Sequence, residues 1–167
     1  MKLVSAALVM LFAPWAWAQD HEHCLLATSS SVAHQSEVDH RHGEVSGVGH
    51  EATEHHFLLA KDGGSIRLEV KDPGQLEARD RIREHLRAIA RAFAAGDFSM
   101  PMRIHDQVPP GVEVMKERLA TIRYSYAPTD KGGIVRISTR DAAARDAVQG
   151  FLRFQIADHG TGDPTER

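Results

Sequence analysis

With 167 residues, a formal net charge of -3, 26% charged and 42% hydrophobic side chains, the chain is the size of one domain with a small core. The balance offers no basic surface for nucleic acid, and no internal apolar run approaches the roughly 20 residues that span a bilayer. Cys24 is the sole cysteine, which excludes an internal disulfide and leaves a free thiol, an intermolecular partner or a metal ligand.

The opening MKLVSAALVMLFAPWAWA has a positive start at Lys2, an apolar run from Leu3 to Phe12 and the small-x-small triplet Ala16-Trp17-Ala18. Residues 1–18 therefore read as a secretory signal peptide cut before Gln19, which places the protein in the periplasm or outside the cell, with no membrane association after cleavage. Residues 19–54 read as a disordered arm, because apolar periodicity is absent from Ala27 to Thr53. Eight of the eleven histidines, His21, His23, His34, His40, His42, His50, His55 and His56, fall between positions 21 and 56. Neutral imidazole and thiolate are ligands for zinc and copper, so His21, His23, Cys24, His55 and His56 are candidate metal ligands of this arm and its edge.

From residue 55 the pattern becomes two copies of strand, Gly-Gly turn, strand, helix. Ile66, Leu68 and Val70, and Ile122, Tyr124 and Tyr126, alternate as half-buried strands do. Asp62-Gly63-Gly64 and Lys131-Gly132-Gly133 mark hairpins. The first helix is expected to begin at Asp72, with Pro73 and Gln75 in its first turn, and to stop at Gly96. The second starts near Thr139 and ends before Gly160. Ala-Arg-Asp recurs at 78–80 and 144–146, an offset of 66 residues. The predicted fold is α+β, a duplicated ββα unit (ββαββα), with a four-stranded antiparallel sheet carrying both helices on one face. It occupies a single domain, 55–160, followed by a 161–167 tail. A long bridging loop, 97–120, joins the copies and carries FSMPMRIHDQ.

Duplication lets each copy serve as a control for the other. Where the first helix has Ile89 and Phe93 on its apolar face, the second has Gln155 and His159. Polar groups buried there need partners, since an unpaired one costs about 1–3 kcal/mol. Met100, Met102 and His105 form MxMxxH in the bridging loop, and thioether sulfur suits Cu(I). The same methionines also fit as fillers of irregular core gaps. His85, at the edge of the first helix's apolar face, reads as a surface residue. No HExxH, P-loop, dinucleotide fingerprint or Ser/Cys nucleophile motif is present.

The segments GDFSMPMRIHD, PPGVEVM and FLRFQIADHGTGD, within 57–163, resemble a family of small exported bacterial proteins, some of which carry an aspartate carbamoyltransferase label. The resemblance transfers no catalytic roles. That activity is rejected on the residues: Ser138-Thr139-Arg140 could face an anion at a helix start, but Asp141 follows directly and opposes phosphate. The expected function is periplasmic metal binding, with copper as the ion and zinc as its alternative. Met100, Met102, His105 and His159 would form the domain site. The competing expectation is a non-catalytic adaptor with an envelope protein as its partner.

Overall fold

A computed structural model describes the backbone of residues 20–166 and side chains from Val32 onward; the signal-peptide reading of 1–18 lies outside the described residues. Contacts divide the chain into Met1–Ala33 and His34–Arg167, and the second unit holds the fold and the site. In chain order the elements are α1 (Asp20–Ser46), a 3₁₀ turn (His50–Ala52), β1 (Thr53–Ala60), β2 (Gly63–Val70) and α2 (Leu76–Ala94). Then come α3 (Ser99–His105), α4 (Val112–Glu117), a second 3₁₀ turn (Leu119–Thr121), β3 (Ile122–Pro128), β4 (Gly132–Thr139) and α5 (Ala142–Asp158).

The two hairpins join through their second strands, giving an antiparallel sheet in the order β1-β2-β4-β3. Gly63-Gly64 and Gly132-Gly133 align at an offset of 69, and Ile66 pairs with Val135, its own counterpart at that offset. A pseudo-twofold axis therefore passes through this pair. The helices align at 66 because the β2–α2 connection, 71–75, is three residues longer than 140–141. The glycine pairs open β2 and β4 rather than forming the turns themselves. Gly132 cannot carry a side chain, since a Cβ would lie 2.1 Å from Leu68 O on the neighbouring strand.

Alternation sends Phe57, Ile66, Leu68, Val70, Val135 and Ile137 to one face of the sheet, where all are buried. Helix α2 covers β3 and β4 and α5 covers β1 and β2, so each helix lies mainly over the other copy's hairpin. Their buried faces bring Leu86, Phe93, Val148, Phe151 and Leu152 to between 0% and 1% exposure. Each such side chain contributes about 1.5–3 kcal/mol through removal from water. Helix α5 is capped by Asp141, whose Oδ1 accepts from Ala144 N at 2.9 Å. Helix α2 begins at Leu76, not at Asp72: the Asp72 carboxylate accepts from Gly74 N at 2.8 Å and shapes a turn ahead of the helix. Gly96, at φ 77°, does end it.

Three expectations change. The stretch 34–54 is ordered, not a disordered arm: α1 runs to Ser46, and Val38 and Val48 are 0% and 6% exposed. The bridge 97–120 folds into α3 and α4. Asp97 Oδ1 accepts from Ser99 N at 2.8 Å to start α3, and Asp106 at φ 52° ends it. The 161–167 tail is partly tied down, because Asp163 accepts from the amide of Phe57 and from His56 Nδ1, each at 2.9 Å.

Candidate metal centre

Six elements deliver imidazoles to one end of the sheet. Helix α1 buries the narrow stripe Val38, His42 and Ser46, which recurs at i, i+4 and so lies along one side. The 3₁₀ turn brings His50. On β1, His55 shares the helix-covered face with Phe57 and is opposite Leu68. His85 stands among the buried residues of α2, next to Leu86. His105 is the last residue of α3, and His159 follows α5 as its C-cap.

The rings of His42, His55 and His159 form a triangle, with centroids 4.4 Å (His42–His55), 5.5 Å (His55–His159) and 5.8 Å (His42–His159) apart. Each corner is backed by one more imidazole: His85 lies 5.6 Å from His42, His50 5.1 Å from His55, and His105 5.0 Å from His159. His42, His55, His85, His105 and His159 are between 2% and 7% exposed.

Burial sets the protonation of this group. Loss of hydration, reinforced by the neighbouring imidazoles, pushes His42 down to about 3. Burial alone lowers His85 to about 4. His55 and His159 also fall well below the ordinary histidine value, again chiefly through desolvation and then through the facing rings. At neutral pH these four rings are uncharged, which is the state in which imidazole coordinates metal.

Hydrogen bonding within the cluster is incomplete. His42 and His55 share one contact, Nε2 to Nε2 at 3.1 Å, while Nδ1 of His55 and Nδ1 of His159 are buried without partners. His105 is the best anchored ring. Its Nδ1–H donates to Asp158 Oδ2 at 2.5 Å, and its Nε2 meets Gln155 Oε1 at 2.9 Å. In that orientation Gln155 Nε2 is left without a partner. Turning the amide over gives His105 Nε2 a donor instead and is consistent with the Nδ1–H tautomer. Asp158 also accepts from His34 Nε2 at 2.8 Å. Burial raises the Asp158 carboxyl, but the hydrogen bonds from His34 and His105 outweigh it and hold the group below the usual carboxylate range.

Beside the imidazoles is a cavity of about 40 Å³, walled by His42, His55, His85, His159 and Gln155 together with Met100 and apolar side chains of the core. The expected domain ligands therefore separate. His105 and His159 face each other and Met100 reaches the same cavity, whereas Met102, half-buried, does not line it. His55 belongs to the cluster, but its neighbour His56 points to the other side of β1 and bonds Asp163. His21, His23 and Cys24 fall on the first turns of α1, ahead of the described side chains.

His85 is not a surface residue: it is 7% exposed, and the spacing Ile82, His85, Leu86, Ile89, Phe93 already places it on the apolar face. His42 and His50 belong to the folded site rather than to a loose arm. Asp158 orients His105 rather than its neighbour His159, and Asp106, next to His105, is exposed.

Among the described residues, no three His, Cys, Asp or Glu side chains already converge as ligands of a single ion, and no helix is long and apolar enough to cross a membrane. Comparison with family models, curated proteins and solved structures finds no match.

Proposed function

We propose that this is an exported metal-binding protein whose site is the buried imidazole cluster, with copper as the ion. The observation that carries the reading is the nitrogen pair of His42 and His55, buried and 3.1 Å apart. Two nitrogens bonded to one ion at about 2.0–2.1 Å in tetrahedral geometry stand roughly 3.3 Å apart. Rings on a shared ion have centroids on the order of 5 Å apart by the same construction, and the cluster's ring spacings of 4.4–5.8 Å lie around that figure.

His159 and His85, with ring centroids 5.8 Å and 5.6 Å from that of His42, are the nearest sources of a third nitrogen. Asp158 and Gln155 fix both nitrogens of His105, whose ring backs His159, so the carboxylate holds that ligand ring in place from one residue further out. Met100 at the same cavity adds a soft, neutral donor, which favours Cu(I) over zinc. Six imidazoles without a motif for nucleophilic or phosphoryl chemistry support binding rather than turnover.

The test is elemental analysis of the exported protein purified without a metal-binding tag, followed by titration with Cu(I), Cu(II) and Zn(II). Stoichiometric copper that is lost in a His42→Ala/His55→Ala double variant supports the reading. A protein that binds none of the three ions removes it.

A further inference from the structure

We infer that the bound ion pins the carboxyl-terminal part of α1 to the body of the protein, so that metal loading and the ordering of residues 34–46 are one event. This rests on the metal-binding reading above and adds to it a consequence for the fold.

A helix in a protein is stabilised mainly by the apolar face it packs, and this one has almost none. Between His34 and Ser46 the only fully buried apolar side chain is Val38; the other buried positions are His42 and Ser46. The remaining fastenings are polar. Arg41 Nε donates to Ile104 O at 2.6 Å, His34 Nε2 donates to Asp158 at 2.8 Å, and His50 lies 3.6 Å from Asp39. His34 is about half exposed, and contacts of that kind in water contribute little. After Ser46 comes Gly47, at φ 70°, and then Val48, which is anchored in the core at 6% exposure, so any lifting of α1 turns about Gly47.

Opposed to this thin contact is His42, which α1 alone supplies and which faces His55, His85 and His159 from β1, α2 and the end of α5. An ion held jointly by His42 and a ring of the body exists only when α1 is seated. It therefore shifts the population toward the seated state. By reciprocity, anything that lifts α1 weakens the hold on the ion.

Hydrogen–deuterium exchange of the full chain, without metal and with Cu(II), tests the coupling in wild type and in His42→Ala. In the wild type, exchange of amides 34–46 slows at least tenfold on loading, while that of α2 and α5 changes little. In His42→Ala the slowing is lost, although Cu(II) still binds more weakly through the remaining imidazoles. The wild-type comparison stands alone if the variant folds poorly. Slow exchange over 34–46 already without metal, or bound Cu(II) with no change there, overturns the pinning and leaves the metal site in place. Binding of none of Cu(II), Cu(I) and Zn(II) removes both.

Discussion

Nε2 of His42 lies 3.1 Å from Nε2 of His55, on an axis that joins α1 to β1. Only one of the two nitrogens carries the proton they share, so one ring donates and the other accepts. Around them the cluster keeps buried nitrogens that have no partner, on His55 and His159. A core built for stability alone would fill this space with apolar side chains, as α2 and α5 do about two turns from His85 and His159 with Phe93 and Phe151.

Breaking that pair in the metal-free protein should be costly in proportion to what it strands. His42→Ala leaves His55 buried with neither nitrogen bonded, a penalty of about 1–3 kcal/mol. His55→Ala does the same to His42 Nε2. A double-mutant cycle read by urea unfolding should give a coupling of about 1 kcal/mol, and a coupling indistinguishable from zero would mean that the contact contributes nothing by itself.

Acidification should unfold the protein earlier than its carboxylates alone require. His42 and His85 titrate at about 3 and about 4 in the fold, against about 6.5 in the unfolded chain. Between those limits the unfolded state binds more protons, so stability rises with pH there, is complete above 6.5 and drains away as pH falls below it. Each ring contributes up to about 1.4 kcal/mol per pH unit inside its window, and His55 and His159 act in the same direction. Asp158 and Asp163 add their own loss only below the ordinary carboxylate value. Urea midpoints at pH 7.5, 6 and 5 should fall steadily; a flat profile down to pH 5 contradicts neutral burial of these rings.

The physics that made half of this protein legible in its sequence also hid the other half. Period-two alternation and paired glycines announce both hairpins, and the duplication exposes Gln155 and His159 as buried polar residues. Both are 4% exposed. Helix α1 gives no such signal, because its buried stripe is Val38, His42 and Ser46. Histidine packing against histidine satisfies a core without apolar periodicity, so a composition argument reads the segment as disordered. His85 lies at i+3 from Ile82, within the apolar stripe, and its polar side chain gives it the look of an edge position. The pairing of His105 with Asp158 spans 53 positions and is beyond any local pattern.

Asp158→Asn should weaken the ion without unfolding the domain. It replaces the acceptor that orients His105 with an amide, and losing such a carboxylate lowers metal affinity about 10–100-fold. Asp163→Asn is the matching control, since that carboxylate bonds the outward-facing His56 and the backbone amide of Phe57 rather than any imidazole of the cluster, and it should leave affinity unchanged. Competition titration with a chromophoric chelator distinguishes them; equal losses in the two variants would point to a general loosening of structure.

Gly132→Ala tests the sheet independently of the site. Its Cβ would fall 2.1 Å from Leu68 O and 3.0 Å from Glu69 Cα, at the junction where the two copies pair. Backbone there cannot yield as a flexible side chain does, so β2 and β4 must separate locally. The expected cost is about 1–3 kcal/mol or more, visible as a lower urea midpoint. A neutral result would mean that the β2–β4 register differs from Glu69 opposite Gly132.

The two methionines of α3 should separate in their response to Cu(I). Met100 lines the cavity shared with His42, His55, His85 and His159, and Met102, two residues on, does not. Leucine nearly conserves methionine's volume, so exchanging the two costs little packing energy, typically below about 1.5 kcal/mol. What it removes is the sulfur. Met100→Leu should therefore lower Cu(I) affinity at least severalfold while leaving Zn(II) affinity within about twofold, because thioether donors hold soft Cu(I) far better than zinc. Met102→Leu should change neither. Equal loss of both ions on Met100→Leu would assign the residue to packing, and an unchanged Cu(I) affinity would leave the imidazoles to bind the ion by themselves.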